Sequence, residues 1–386
     1  MLPTSEDIRQ LFLLRDDVHF LNHGSFGACP RPVFEQYQRL QRELEAEPVE
    51  FLHTAIDLPA RLAAARARLA GFMGCAGDEM VFVPNATTGL NIVARSLDLQ
   101  PGDEILTTDQ EYGAMDRMWR FLAGKTGARY VSVPLPIPLP RPEEVVERIW
   151  SAVTAQTRML FLSHITSPTG IILPVEELIR RARRRGITTI LDSAHVPGQI
   201  PCDLHALGCD FASGNWHKWL LAPKGSAFLY ARRGIQELLE PLIVSWGWQS
   251  EDPGPSRFID EQEWTGTRDP SAWLATPACL DFRAEYQWDA VCARSREMLR
   301  DTRRRVLEMT GLEPLCPPEP WLAQMATLPL PPGDAAIYQE RLRREFRIQA
   351  PVLRFGERNW VRISVQGYTT EQDLEAFVAA MRAICC

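Results

Sequence analysis

Thr188-Thr189-Ile190-Leu191-Asp192-Ser193-Ala194-His195 is a short β-branched, apolar run that ends in a carboxylate, a hydroxyl and an imidazole. Such a run, without polar alternation, reads as a strand covered on both faces. Working backwards, 175–185 has the spacing of a helix and 158–163 reads as another apolar strand. Before these, strands at 80–83, 104–107 and 129–133 take turns with helices from about residue 87 and around 115–122. Strand and helix in alternation imply an α/β fold, a mainly parallel sheet flanked by helices on both faces, with ligands beyond the carboxyl ends of the strands. Working forwards, the texture changes after about residue 265 to long amphipathic helices at 271–288 and 291–309. Short strands near 322–328 and 359–365 and a final helix from Glu371 follow. The chain therefore divides into a large domain over 20–264 and a smaller C-terminal α+β domain over 265–386, with residues 1–19 packing on the smaller one.

Composition narrows the function classes. Of 386 residues, 45% are apolar and 24% charged, the make-up of a globular protein. Against 49 acidic residues, 42 basic ones leave a net charge of -7, so nucleic acid and anionic membrane surfaces are disfavoured as partners. No apolar run is long enough to cross a membrane. The nine cysteines are odd in number and scattered, the pattern of free thiols in a cytoplasmic protein rather than of a disulfide framework. Cys385 and Cys386 look like a prenylation site, and a frayed tail is the plainer reading. The alternating prolines from Pro134 to Pro142 forbid helix and read as a stiff surface connector. The run Arg180, Arg181, Arg183, Arg184 and Arg185 falls at a helix C-terminus, where cations suit the dipole.

Chemistry-bearing residues gather at four strand ends. Asn85-Ala86-Thr87-Thr88-Gly89 opens a helix and can cradle a phosphate with amides and hydroxyls. Tyr112 follows the next strand and can stack on a planar ligand. Asp192 is placed to pair with a protonated ring nitrogen. In Ser213-Gly214-Asn215-Trp216-His217-Lys218-Trp219, aromatic neighbours would dry the amine of Lys218, lower its pKa and make it nucleophilic. Singly, each has a bland explanation: an N-cap threonine, a core tyrosine, a turn aspartate, a snorkelling lysine. Jointly, they are the parts that pyridoxal phosphate requires. Lysine occurs only at Lys125, Lys218 and Lys224, and the first and last lie in exposed-looking turns or helix ends.

Read as a set, Leu21-Asn22-His23-Gly24-Ser25-Phe26-Gly27, Ala86-Thr87-Thr88-Gly89-Leu90-Asn91, Asp192-Ser193-Ala194-His195, His217-Lys218-Trp219, Trp264-Thr265-Gly266-Thr267-Arg268-Asp269 and Val361-Arg362-Ile363-Ser364 resemble the class V aminotransferases, within them the isopenicillin N epimerase-like branch. The resemblance implies the type I fold of pyridoxal phosphate enzymes. It implies that Lys218 forms the Schiff base and Asp192 pairs with the pyridinium nitrogen. It further implies that Tyr112 stacks on the ring, that Thr87, Thr88, Asn215 and His217 hold the phosphate, and that Ser167 and His195 lie near the phenolic oxygen. Thr267 would reach the phosphate of a neighbouring subunit, making a homodimer with shared active sites. Asn22, His23 and Arg362 would bind the amino-acid substrate, Arg362 as the carboxylate anchor. The cysteine that related desulfurases carry shortly before that arginine has no counterpart in Phe346-Arg347-Ile348-Gln349-Ala350-Pro351.

What the resemblance implies is an enzyme acting at the Cα of an amino acid, with Lys218 removing the α-proton. Reprotonation on the opposite face makes it an epimerase; loss of a β-sulfur group makes it a carbon–sulfur β-lyase, and aminotransfer is a further alternative. Two rivals stand beside it. One is a metal hydrolase on His164, His195 and His217, whose spacing matches no familiar metal motif. The other is a non-catalytic sensor that keeps the fold, against which the intact Lys218 and Asp192 argue. The expectation is therefore a pyridoxal phosphate enzyme with no metal.

Overall fold

The computed structural model describes residues 2–53 and 57–385; Cys386 of the expected tail lies outside them. In chain order the strands are β1 (His19–Phe20), β2 (Met80–Val83), β3 (Glu104–Thr108), β4 (Arg129–Val133), β5 (Thr157–Ser163), β6 (Thr188–Asp192), β7 (Phe211–Asn215), β8 (Ala227–Ala231), β9 (Met325–Leu330), β10 (Ile348–Gln349), β11 (Val352–Phe355) and β12 (Arg358–Ser364). β2 to β8 form one sheet in the order β2-β8-β7-β6-β5-β3-β4. β3 to β7 pair in parallel, and β8 alone runs against its neighbours β7 and β2. Every residue of β2, β3, β7 and β8 is buried, whereas the edge strand β4 exposes Arg129 and Ser132. Continuous apolar runs are what a sheet covered on both faces demands, and charge at the edge discourages further pairing.

The strands read from the sequence lie where expected, within a residue or two, save that the one expected near 322–328 starts three residues later, as β9. β8 was not anticipated: a five-residue apolar run carries no signal of its direction. The helix expected over 271–288 is two helices, Ser271–Leu274 and Pro277–Glu285, because Pro277 cannot donate to the preceding turn and takes the first position of a new helix. The next helix starts earlier than expected, at Trp288, and stops at Gly311, whose φ of 63° is left-handed. The segment from Pro134 to Pro142 is not a surface connector. Leu135 and Leu139 are buried, and the Leu139 amide donates to Leu315 O at 2.9 Å. In an extended chain alternate side chains share a side, so spacing the prolines by two sends Leu135, Ile137 and Leu139 together into the core.

Helices Ala86–Ser96 and Gly113–Thr126 pack against each other, and Ala86–Ser96 also lies on β7 and β8. Val175–Arg184 contacts β6; Arg180 and Arg181 at its end pair with Glu177, and Arg181 also with Glu147, on the solvated side. β11, β12 and β9 form a small antiparallel sheet against helix Trp288–Thr310, which in turn packs on helix Glu371–Cys385, and β1 pairs in parallel with β10. The N-terminal segment is tied to this region by Arg294 Nη1 donating to Pro3 O at 2.6 Å and by His19 Nδ1 at 2.8 Å from Asp373. Ser364, at the end of β12, donates its amide to Leu21 O at 2.8 Å. That contact brings the Asn22 turn and Arg362 to one place. Among the described residues, no helix is long and apolar enough to cross a membrane.

Contact between β7 and β6 depends on a missing side chain. A Cβ on Gly214 would sit 2.6 Å from Ser193 O and 2.6 Å from a ring carbon of Phe228. Gly214→Ala should therefore cost about 1 to 3 kcal/mol of stability, read as a lower denaturation midpoint; an unchanged midpoint would mean that the strand moves aside freely.

Candidate active site

Parallel strands deliver their C-terminal residues to one edge of the sheet, and there the polar residues converge. Asp192 ends β6, in register with Ser163 at the end of β5 and Ser213 of β7. Its carboxyl is buried and accepts one hydrogen bond, from the Ala194 amide at 2.9 Å. Burial pushes its pKa up, opposed by that amide and by the charge of Lys218. Just after β7, Lys218 holds its Nζ 3.2 Å from His195 Nε2. Loss of water pushes the amine down to about 8, with Asp192 opposing and Arg362 assisting. Dry surroundings thus make the amine a usable base near neutral pH.

Arg362 enters from β12. It is 5% exposed, yet among the described residues no carboxylate meets it: Nη1 donates to Ser167 O, Nη2 donates to Ser25 Oγ at 3.1 Å, and Nε is buried with no partner. Desolvation pushes its pKa down to about 10. Ser25 Oγ in turn donates to Asn22 Oδ1 at 2.6 Å. A buried guanidinium with only neutral partners and an orphan donor is a receptor for an anion.

Several expected residues occupy supporting positions. His23 is fully buried, with Nδ1 2.8 Å from Tyr368 Oη and Nε2 3.0 Å from Lys218 O. Both ring nitrogens are spent, so it braces the backbone of Lys218 instead of facing a substrate. Asn215 accepts the Ala86 amide on Oδ1 at 2.9 Å, and Thr88 gives its amide and hydroxyl to Asn85 Oδ1. These bonds fix the start of helix Ala86–Ser96, where Thr87 and Thr88 are half-buried. His217 Nδ1 donates to Ser226 O at 3.0 Å, which leaves Nε2 a lone pair; burial holds its pKa down to about 4, and a nearby anion would raise it. Tyr112 stands at the head of helix Gly113–Thr126 and is 45% exposed. Thr267 lies on an exposed turn beside Gly266 and makes no hydrogen bond to this cluster among the described residues. Lys125 is exposed, and Lys224 in its turn donates to Gly27 O at 3.0 Å.

The three histidines of the metal rival are dispersed. His195 lies between Trp219 and Lys218, His217 is bonded to Ser226, and His164 Nδ1 is buried without a partner. Among the described residues, no three His, Cys, Asp or Glu side chains are grouped to hold a metal ion. Sequence reasoning passed over Glu111, although it stands next to Tyr112. It is buried behind Asp192 and accepts from Thr108 Oγ1 at 2.7 Å, Ser163 N at 2.8 Å and Ser163 Oγ at 2.6 Å. Burial pushes it up to about 7 despite those donors. No local signal marks it, because the strand exit Thr107-Thr108-Asp109-Gln110-Glu111 is polar throughout.

Residues 20–377 match the model of the aminotransferase class-V family. The chain belongs to that family. Among relatives, the isopenicillin N epimerase of Amycolatopsis lactamdurans is 40% identical, over 94% of both chains, and that of Streptomyces clavuligerus 39% identical, over 98% of both. A putative L-cysteine desulfhydrase of Oryza sativa subsp. japonica is 30% identical over 92% of this chain and 80% of its own. The solved cysteine desulfurase CsdA of Escherichia coli shares the fold, with a TM-score of 0.81 and 22% identity across 100% of this chain and 99% of its own.

As a class-V enzyme the protein uses pyridoxal 5'-phosphate, and the residues present fit it. Asp192 lacks a cation bonded to its buried carboxyl, as a partner for a protonated ring nitrogen should, and the dried amine of Lys218 lies within the field of that carboxylate. The placement of Lys218 rests on Gly27. At φ +70° a Cβ there would lie 1.9 Å from His217 O and 3.0 Å from Lys218 Cα. Gly27→Ala should displace the Lys218 backbone and lower the cofactor retained per subunit after desalting; full retention with an unchanged visible spectrum would contradict this.

Proposed function

We propose that this class-V enzyme is an amino-acid epimerase, which inverts Cα by removing its proton and returning it on the other face. The observation that carries the reading is Arg362, a buried cation bonded only to neutral oxygens beside a half-buried lysine of lowered pKa. An α-amino acid brings the carboxylate that Arg362 lacks, and its Cα–H then has Lys218 for a base. The 40% identical epimerase supports the same choice.

Bound pyridoxal phosphate supplies the electron sink for the pair released from Cα–H. The chain's own residues do the rest. Arg362 binds the carboxylate in a planar fork, steadied through Ser25 by Asn22. Lys218 carries the cofactor and then moves the α-proton at Nζ. Asp192 keeps the ring nitrogen protonated, and Tyr112 covers the ring. Thr87, Thr88 and His217 hold the phosphate at the positive helix end, with Asn215 fixing that end. Ser167 and His195 attend the phenolic oxygen.

The enzyme works as a homodimer in this reading, with Thr267 serving the partner's phosphate. Leu242, Ile243, Val244, Trp246 and Trp248 form an exposed apolar stretch, with Trp246 84% exposed. One cleft is lined by Trp246, Trp264 and Arg268, so the stretch runs beside Thr267. An apolar patch of this kind asks for a cover, and a second copy is our choice. A cytoplasmic location is in keeping with the thiols Cys29, Cys75, Cys202, Cys209, Cys279, Cys292 and Cys316.

A second reading, carbon–sulfur β-lyase, is favoured by the 30% identical desulfhydrase. It uses the same base and anchor and differs in the substrate's β-substituent. Chiral product analysis beside assays for sulfide and pyruvate separates the two: inversion without sulfide supports the epimerase, and sulfide with pyruvate supports the lyase.

Lys218→Ala should abolish the visible absorbance of the bound cofactor and its bleaching by borohydride; if Lys125→Ala or Lys224→Ala did so instead, the lysine assignment fails. Arg362→Ala should cut kcat/KM on amino acids by about tenfold or more with cofactor content kept. Equal turnover of amino acids and of their decarboxylated amines by the unmodified enzyme would remove the anchor. Sedimentation of an active monomer at working concentration would overturn the shared site.

A further inference from the structure

The bond between Trp219 and His195 has a consequence for Lys218. Trp219 Nε1 lies 3.2 Å from His195 Nδ1, and His195 Nε2 lies 3.2 Å from Lys218 Nζ. Both rings are buried, the indole fully and the imidazole to 2% exposure. An indole N–H can only donate. Nδ1 must therefore accept, because a proton there would meet the indole proton head-on. Burial, helped by the charge of Arg362, keeps the imidazole neutral, so its single proton sits on Nε2 and points at Lys218.

We infer that Trp219 is a positioning residue that fixes His195 in the Nε2–H tautomer and thereby holds Lys218 as the free amine. The Nε2–H can donate to a neutral amine, which offers a lone pair, whereas an ammonium would present a donor to a donor. The other groups facing Lys218 pull in both directions: Asp192 favours the charged amine and Arg362 the neutral one. Trp219 is itself well held. Its ring lies 4.9 Å from that of His23, which bonds Lys218 O. Its carbonyl sits where Gly198, at φ +86°, leaves room: a Cβ on that glycine would come within 2.5 Å. Gln199 Nε2 donates to His195 O at 2.8 Å and steadies the histidine from behind. When Lys218 moves away, the same fixed Nε2–H is left to donate to an incoming oxygen, and His195 needs no change of tautomer.

The inference takes Lys218 as the reacting amine from the proposed function, but its test does not depend on turnover or on the cofactor. In the full chain stripped of cofactor and labelled with ¹⁵N-histidine, His195 should show a protonated Nε2 and a bare Nδ1 between about pH 6 and 9. Competitive acylation across pH then gives the pKa of Lys218. Trp219→Phe, which keeps a ring and deletes the donor, should raise it by about half to one pH unit, the worth of one net hydrogen bond. A purely structural role for Trp219 would lower the melting temperature and leave both readouts unmoved. A wild-type His195 protonated on Nδ1, or a Lys218 pKa that stays or falls in the phenylalanine variant, overturns the inference. Should that variant not fold, the wild-type tautomer decides alone.

Discussion

Two cations and one carboxylate withdrawn from water set the terms for this molecule. Lys218 lies close enough to both Asp192 and Arg362 to feel their charges, and every one of the three is destabilised as an ion by loss of water. A buried charge without a partner costs several kcal/mol, of order, and the fold supplies neutral dipoles in place of counter-charges: the Ala194 amide to Asp192, and Ser167 O and Ser25 Oγ to Arg362. The pocket is left short of negative charge. A substrate carboxylate and a cofactor phosphate are the groups that complete it. The parallel sheet is what makes such crowding possible, because it brings the ends of β5, β6 and β7 to one edge, while β12 reaches the same place from the other lobe.

What could be read from the sequence was local. Asp192 stands out as an acid closing an apolar run, and Lys218 as one of three lysines, set among tryptophans. Arg362 was legible from period-2 alternation: Val361 and Ile363 take one face of β12 and Arg362 the other, and all three prove buried. Proline and glycine do mark helix ends, as at Pro142 and Gly311, but from sequence alone Pro142 only closes a helix-free segment and the later helix ends at 309. The contacts that escaped are long-range ones. His23 meets Tyr368 and Lys218 across most of the chain, and no spacing rule connects them. The same holds for Trp219 with His195, and for Glu111 with Ser163. β8 escaped because an apolar pentapeptide says nothing about its direction.

Relatives in the class-V family perform different chemistry on this frame, and the differences are carried by few residues. The chain has no cysteine over 346–351, the stretch before β12, whereas Lys218, Asp192 and Arg362, proposed as base, ring partner and anchor, are all present. Burial is the largest influence on Lys218, with Arg362 assisting and Asp192 opposing: about 8 against the usual 10.5 of a lysine. A pKa near the working pH balances the fraction of free amine against its basicity, so one side chain can take a proton from Cα and give it back. That property serves the removal of the α-proton in inversion and in elimination alike; inversion further needs a proton delivered to the face of Cα opposite Lys218, and elimination a β-substituent that can leave.

Proton exchange at Cα tests the account most directly. The holoenzyme is incubated in D₂O with a panel of L- and D-amino acids, and the α-proton signal and enantiomer ratio are followed together. The account requires that at least one amino acid lose its α-proton signal at a rate that depends on Lys218, with the opposite enantiomer appearing carrying deuterium at Cα. Full retention of the α-proton across the panel, by enzyme saturated with pyridoxal phosphate, would contradict it.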